Sequence, residues 1–264
     1  AGGTAVISGV TVATPATPIP VGSPVPVLDP ATGQVSVPAG TPANTYTISY
    51  TLCEQLNPSN CATTTVTITV DPAPIVAVDD GFGPVVGATG NANVGNAYAN
   101  DTLNGVAVNP ADITGTVQLP ATPVTPGAPV PVLDVATGVV SVPAGTPTGS
   151  YTIVYEICEN LNPGNCDAAT ITVNVTSAPI VATPDSATGI NGLVGAPNVV
   201  NVLTNDLLNG VTPTLGAGGT AVISTVVPAT PAAPGAPVPV LDPATGNVSV
   251  PAGTPLGVYT ITYT

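Results

Sequence analysis

The sequence predicts an all-β chain of tandem Greek-key β-sandwiches that follow one another as an elongated rod. One phrase, Val-Leu-Asp-x-x-Thr-Gly-x-Val-Ser-Val-Pro-Ala-Gly-Thr-Pro, begins at Val27, Val132 and Val240, and each copy runs into Tyr-Thr-Ile-x-Tyr. The spacing of 105 and then 108 residues suits one complete small domain per repeat. The apolar residues are mainly Val, Ala and Ile, and 33 Pro and 29 Gly interrupt them, which favours short strands over helices.

The repeats divide the chain into three predicted domains. Residues 74–178 hold one complete repeat, which we call repeat two. Residues 1–73 form repeat one, without its N-terminal part, and residues 179–264 form repeat three, without its last hairpin. Residues 1–8 match residues 217–224 inside repeat three, so we expect the chain to be a window from a longer array. The short linkers contain proline and favour a stiff rod.

The sequence of repeat two offers eight candidate segments for about seven short strands, and 91–99 is the weakest candidate. The predicted strands are 75–78, 91–99, 105–108, 113–119, 130–134, 138–142, 149–158 and 166–175. The loop 134–138 ends in Gly138, which suits a hairpin whose glycine takes a positive φ. Pro129 and Pro131 favour an edge position or irregular pairing for the strand that contains them. Short strands at this density indicate a Greek-key sandwich.

The strand 149–158 shows the clearest alternation of apolar residues. One set is predicted to face the core: Tyr151, Ile153, Tyr155 and Ile157. The same parity in repeat one points Tyr50 and Leu52 inward and Cys53 outward. The tyrosines of these strands are therefore expected in the core, not on a ligand-binding surface.

The start of this strand resembles the tyrosine corner of immunoglobulin-like domains. Gly149-x-Tyr151 follows a Pro-Thr turn, Gly257-x-Tyr259 repeats it, and repeat one has Asn44-Thr-Tyr46. Two residues after the tyrosine, where antibody domains have cysteine, each repeat has isoleucine. The resemblance is therefore to a bacterial immunoglobulin-like module, and it implies tandem immunoglobulin-like β-sandwiches.

Three longer phrases resemble the tandem repeats of giant cell-surface adhesins of Bacteroidetes, including the gliding-motility-associated type. They are Asn-Asp-x-Leu-Asn-Gly from Asn100 and Asn205, the shared phrase from Val27 onward, and Cys-Glu-x-Leu-Asn-Pro-x-Asn-Cys from Cys53 and Cys158. The resemblance covers essentially the whole chain. It implies export to the cell surface, by the type IX route, and an extracellular location.

The composition excludes several functions. The chain has no Lys, Arg or His and a net charge of −14, so it offers no cations for nucleic acid or anionic membranes. We expect no nucleic-acid partner and no direct membrane insertion by this segment. Nucleophiles that need His or Lys cannot be assembled, and no aromatic platform accompanies the carboxylates, so we expect no enzyme activity.

The four cysteines are predicted to form two disulfides, Cys53–Cys61 and Cys158–Cys166. Each pair lies within one hairpin, and both of its members point outward on adjacent antiparallel strands. Reduced thiols in a cytosolic protein are the alternative interpretation. The bridge would protect the hairpin tip against fraying.

Acidic residues near the repeat junctions suggest a calcium hypothesis. The candidate ligands are Asp79, Asp80, Asp101, Asp185 and Asp206. Ca²⁺ prefers several carboxylate and carbonyl oxygens, but the spacing of the known calcium loop is absent. The alternative is that these are solvated or turn-capping carboxylates, and no other cofactor is expected.

Two short motifs match a pattern of O-glycosylation used by exported Bacteroidetes proteins. Asp101-Thr102-Leu103 and Asp185-Ser186-Ala187 have the sequence Asp-Ser/Thr-apolar. The resemblance to that group implies Thr102 and Ser186 as acceptors.

These observations predict a structural repeat segment of an extracellular adhesin or surface filament, acting as a stiff stalk or fibre body. Its partners would be neighbouring repeats of the same chain and, in a fibre, other copies of it. The alternative is a set of glycan- or protein-binding modules that act by avidity.

Overall fold

The computed structural model describes residues 5–264, so the first four residues of the match between 1–8 and 217–224 lie outside it. Those residues divide into two compact units, with the boundary between Thr176 and Ser177. The first unit contains two separate hydrophobic clusters, one in repeat one and one in repeat two. Apart from one turn of 3-10 helix, Ala97–Ala99, every described element is a strand. The predicted all-β fold class is confirmed.

Repeat one is built around the long strand β5. Its strands are β1 (Ala5–Ser8), β2 (Thr14–Pro15), β3 (Val27–Leu28), β4 (Val35–Ser36), β5 (Asn44–Glu54) and β6 (Cys61–Val70). β1 and β2 pair with one edge of β5, β6 pairs with the other, and β3 and β4 form a separate hairpin. Tyr46 and Ile48 are fully buried.

The inward orientation predicted for Leu52 is wrong. Leu52 is 44% exposed, although it lies on the strand that buries Tyr46 and Ile48. The opposing layer of repeat one, within residues 5–73, contains only the two-residue strands β3 and β4. That layer is too small to cover the far end of β5, so the alternation alone does not bury Leu52.

Repeat two forms a β-sandwich from ten strands. Its strands are β7 (Ile75–Val76), β8 (Asp80–Val86), β9 (Asn91–Asn96), β10 (Thr102–Leu103), β11 (Val106–Ala107), β12 (Ile113–Leu119), β13 (Val132–Leu133), β14 (Val139–Val142), β15 (Gly149–Glu159) and β16 (Cys166–Thr176). The main sheet has the order β12-β15-β16-β8, in which β8 runs parallel to β16. The order β13-β14-β9 forms a second sheet, and β11-β10-β7 forms a third.

The core of repeat two lies under β15 and β16. The predicted inward residues of β15 are all buried, and Ile171, Val173 and Val175 of β16 pack against them. Tyr155 packs beside Tyr98 with ring centroids 5.9 Å apart. The alternation predicted for this strand is therefore confirmed.

Local turns follow their sequence signals. Gly138 has a φ of 76°, as the predicted hairpin requires. Asp134 holds the same turn, because its carboxylate accepts from Ala136 N–H at 3.0 Å and from the Thr137 hydroxyl at 2.7 Å. β13, the strand that follows Pro129 and Pro131, lies at a sheet edge.

The tyrosine corner occurs in all three repeats. The hydroxyls of Tyr46, Tyr151 and Tyr259 donate to the carbonyl oxygen four residues earlier, at 2.8, 2.7 and 2.9 Å. The bonds of Tyr46 and Tyr151 tie the start of β5 and of β15 to the preceding Pro turn, and Tyr259 lies three residues before the last strand, Thr262–Tyr263. The geometry supports the immunoglobulin-like interpretation drawn from the sequence.

The second unit, residues 177–264, contains shorter strands. They are β17 (Ile180–Val181), β18 (Ala196–Asn201), β19 (Leu207–Leu208), β20 (Val226–Val227), β21 (Val240–Leu241), β22 (Asn247–Val250) and β23 (Thr262–Tyr263). The sheet β18-β22-β21 repeats the order β9-β14-β13 of repeat two. Tyr259 and Tyr263 line an open cavity of about 1070 Å³, whereas the equivalent Tyr151 and Tyr155 lie buried beside β16.

Candidate functional site

Both predicted disulfides are present. Cys53–Cys61 and Cys158–Cys166 each join residues that are direct cross-strand partners, with Cα atoms 4.1 Å apart. Each bridge closes a seven-residue tip, which we call loop one (54–60) and loop two (159–165). No cysteine among the described residues is free.

Loop two contacts repeat one. Asn162 Oδ1 accepts a hydrogen bond from Ala43 N–H at 2.7 Å. Asn165 Nδ2 donates to the carbonyl oxygen of Ala73, in the linker between the repeats, at 2.6 Å. Beside these bonds lies a cleft of about 440 Å³, lined by Ile19 of repeat one and Leu161 of loop two. A disulfide-closed tip therefore forms part of the joint between two repeats.

The importance of the two asparagines was missed at the level of sequence. The phrase Leu-Asn-Pro-x-Asn recurs between both cysteine pairs, which was the available signal. The contact joins Ala43 and Asn162, which are far apart in sequence, so the spacing of residues could not show it.

Two acidic residues of repeat two, Asp80 and Asp101, lie beside the hydroxyl of Tyr155. Asp101 is fully buried; it accepts from Val78 N–H at 2.8 Å and from the Tyr155 hydroxyl at 2.9 Å. Asp80 Oδ2 lies 3.5 Å from the same hydroxyl. Asp79 accepts instead from Thr170 N–H at 2.8 Å. Asp101 is thus a buried hydrogen-bond acceptor, not a solvated carboxylate.

Burial controls the ionisation of this group. Burial, together with the neighbouring Asp101 carboxylate, raises the pKa of Asp80 to about 6. Burial also raises the pKa of Asp101, although its bonds from Val78 N–H and Tyr155 act in the opposite direction. The pKa of Tyr155 is raised by burial and by its bond to Asp101, which keeps the hydroxyl protonated as a donor.

Repeat three contains the same arrangement. Asp206 accepts from Thr183 N–H at 2.7 Å and from the Tyr263 hydroxyl at 3.2 Å, and Asp185 lies 3.3 Å from that hydroxyl. Burial raises the pKa of Asp185. The aspartate of the Asn-Asp-x-Leu-Asn-Gly motif therefore accepts a hydrogen bond from a tyrosine hydroxyl in repeat two and again in repeat three.

The calcium hypothesis stays a prediction. In repeat two and again in repeat three, the structure brings two of the five candidate carboxylates to one tyrosine hydroxyl, and Asp79 points to another strand. Ca²⁺ takes six to eight oxygen ligands. Within residues 5–264, the one cluster of three candidate metal-ligating side chains is Glu156 with Cys158 and Cys166, whose sulfurs are bonded to each other.

The two predicted glycosylation acceptors lie in different surroundings. Thr102 is half-buried in β10, between Val76 and Ala107 on the neighbouring strands. Ser186 is exposed in the segment between β17 and β18. Both positions remain predictions.

Two features of the surface bear on partners. Every Tyr and the single Phe82 within residues 5–264 is buried or half-buried, and Tyr259 and Tyr263 line the open cavity of the second unit. Among the same residues, no helix has the length and apolar character needed to cross a membrane.

No protein-family model matches the sequence, and no curated protein matches it. Solved structures with similarity to the chain include a protocadherin gammaB7 EC3-6 cis-dimer structure (11% identity, 83% of this chain and 53% of that chain, TM-score 0.32). The human desmocollin-1 ectodomain is 12% identical over 96% of this chain and 47% of that chain, with a TM-score of 0.33. Mouse cadherin-23 EC22-24 is 13% identical over 96% of this chain and 76% of that chain, with a TM-score of 0.30. The chain thus spans about half the length of the first of these proteins.

Proposed function

We propose that the chain is a structural segment of an extracellular surface adhesin or filament, in which β-sandwiches follow one another as a stiff stalk. The observation that carries this proposal is the joint between repeats one and two. Only Asp71-Pro-Ala-Pro separates β6 from β7, and loop two makes hydrogen bonds to both the linker and repeat one. A short proline-containing linker with such contacts limits the range of angles between domains.

The chemistry of the chain supports an extracellular location. Two disulfides persist in oxidising environments, and the absence of Lys and Arg leaves no cleavage site for trypsin-like proteases. The three phrases shared with giant adhesins of Bacteroidetes supply the finer proposal of export to the cell surface of such an organism. The partners would be neighbouring repeats and other copies of the chain in a fibre.

Surface display tests this function. An antibody raised against residues 74–178 should label intact cells of the source organism, and electron microscopy should show the label along filaments. Labelling that requires permeabilised cells would contradict the proposal. Binding of the purified chain to a glycan array would instead support the alternative of repeated binding modules.

A further inference from the structure

The two disulfide-closed loops have the same pattern of internal backbone hydrogen bonds but different surroundings. Both contain Glu-x-Leu-Asn-Pro-x-Asn before the second cysteine. In loop one, Glu54 N–H donates to Asn60 O at 2.9 Å; in loop two, Glu159 N–H donates to Asn165 O at 3.0 Å. Each loop has a second backbone bond of 2.8 Å, from Asn60 N–H to Asn57 O in loop one and from Asn165 N–H to Asn162 O in loop two. Differences in side-chain bonding and exposure between the two loops therefore arise from the residues that surround each loop.

In loop one the polar side chains satisfy one another. Asn57 Nδ2 and Asn60 Nδ2 both donate to the Glu54 carboxylate, at 2.8 and 2.9 Å. Leu56 is 83% exposed. Residues 55–60 are all exposed.

In loop two the same positions are used for contact with repeat one. Asn162, the counterpart of Asn57, accepts from Ala43 N–H, and Asn165 donates to the Ala73 carbonyl oxygen as well as to Glu159. Leu161 is 38% exposed, less than half the value of Leu56. Glu159 is buried, whereas Glu54 is half-buried.

The receiving surface is also part of every repeat. Ala43 lies in the Pro42-Ala-Asn-Thr-Tyr46 turn, whose shape is fixed by the bond from the Tyr46 hydroxyl to Pro42 O. The corresponding tyrosine bond occurs at Tyr151 and at Tyr259. Each repeat thus presents a similar rigid turn to which a loop of this kind can bind.

We propose that the disulfide-closed loop is the docking element by which one repeat binds the turn of the repeat before it. Asn162 recognises the turn, and Asn165 binds the linker beside it. Loop one, with its exposed Leu56, is the same docking surface, and its partner is the Pro-x-x-x-Tyr turn of another repeat of this kind. The proposal rests on the stalk function and names the contact that stiffens it.

Amide hydrogen exchange on the whole chain tests the docking contact at the Ala43 N–H. Asn162→Ala should raise the exchange rate of Ala43 about fivefold or more, because it removes the acceptor of a hydrogen bond. Asn57→Ala is the matched control: it makes the same change in loop one and should leave Ala43 unchanged. Asn162→Asp keeps an oxygen acceptor and should retain the protection.

A second pair of variants tests the role of the bridge. Replacing both Cys158 and Cys166 by Ser loosens loop two and should also raise exchange at Ala43, while the same replacement of Cys53 and Cys61 should not. Protected amides in β15 and β16 show that repeat two is still folded. Should Asn162→Ala unfold repeat two, the comparison of the two cysteine-pair variants decides the question.

Equal exchange at Ala43 in the wild-type chain and in a folded Asn162→Ala or Cys158/Cys166→Ser variant would overturn the docking proposal, as would an equal effect of the loop-one variants. Neither result would bear on the proposed surface location, which fails only if intact cells are not labelled.

Discussion

Tyr151 shows how one side chain joins a strand, a turn and the core. Its ring is buried beneath β15 and its hydroxyl donates to Pro147 O at 2.7 Å. Its neighbour Thr152 lies on the exposed face of the same strand. The two positions differ in burial although they are adjacent in sequence, which makes them a direct test of the assigned face.

Tyr151→Ala should destabilise repeat two by about 3 kcal/mol or more, because it removes a large buried aromatic ring. Thr152→Ala should change the free energy of unfolding by less than about 0.5 kcal/mol. Urea denaturation of both variants measures these changes. Similar unfolding midpoints for the two variants would show that the strand face is assigned wrongly.

Asp80 should make the stability of repeat two decrease as the pH rises. Its folded pKa of about 6 lies above the ordinary value of 3.8, so the folded state binds the proton more tightly than the unfolded state. The contribution is therefore fully present below pH 3.8 and is lost as the pH rises through 6. Unfolding measurements from pH 3.5 to 7.5 should show that Asp80→Asn flattens this decrease.

Asp134→Asn is the control of opposite sign. Bonds from the Thr137 hydroxyl and Ala136 N–H lower the pKa of Asp134. Its contribution is present above the unfolded pKa and is lost as the pH falls. An Asp80→Asn variant that retains the wild-type pH dependence would contradict the role assigned to Asp80.

At the scale of elements, hairpin turns combine a backbone requirement with a packing requirement. Gly138 ends the turn between β13 and β14 with a positive φ, and a Cβ there would lie 2.5 Å from Asn96 Oδ1 and 2.6 Å from Tyr98 Cδ2. Gly127 has a nearly equal φ of 79°, but a Cβ there would meet nothing within 4 Å. Comparing Gly138 with Gly127 therefore separates the backbone requirement from the packing requirement.

Gly127→Ala should cost about 1–2 kcal/mol, the usual penalty for the left-handed conformation. Gly138→Ala should cost more, because the added methyl group also displaces Asn96 or Tyr98 from the turn. Thermal unfolding of the two variants measures the difference. Equal destabilisation would show that packing around Gly138 contributes nothing.

At the scale of the whole molecule, the joint between repeats one and two depends on a linker and a loop contact. Pro72 and Pro74 restrict φ in the linker, while Asn165 binds the linker carbonyl of Ala73. The disulfide keeps loop two in the shape that makes this contact. Stiffness is thus expected without a bound ion.

Replacing Asp71-Pro-Ala-Pro by a Gly-Ser segment of equal length should broaden the range of angles between repeats one and two while both stay folded. Small-angle scattering of the whole chain should show a smaller maximum dimension. A calcium chelator added to the unmodified chain is the control. A collapse caused by the chelator alone would show that calcium, not the linker, stiffens the joint.

Local chemistry was predictable because it depends on neighbouring residues. The strand Ile113–Leu119 was predicted with its observed bounds, and β15 extends one residue beyond its predicted end. The disulfides follow from the parity of two cysteines within one hairpin, and the tyrosine corners were expected from the resemblance of a short turn to immunoglobulin-like domains. The alternation of apolar residues in β15 predicted both its buried face and the outward orientation of Cys158.

The strand β8 was missed because its sequence, Asp80-Gly-Phe-Gly-Pro, has the composition of a turn. It becomes a strand through parallel pairing with β16, about ninety residues later in the chain. The burial of Asp101 has a similar origin, since its partner Tyr155 lies on a distant strand. Composition and spacing carry no information on such pairs.

The sequence by itself determined the repeat, the strand-forming composition, the paired cysteines and the absence of cationic chemistry, because each is a property of residue type and short-range order. Only the tertiary structure decided which carboxylates are buried, which edge β8 occupies and that loop two binds the turn of repeat one. These features depend on the packing of residues that are distant in sequence. The free energy of burying or pairing a residue is then set by its environment and not by its type alone.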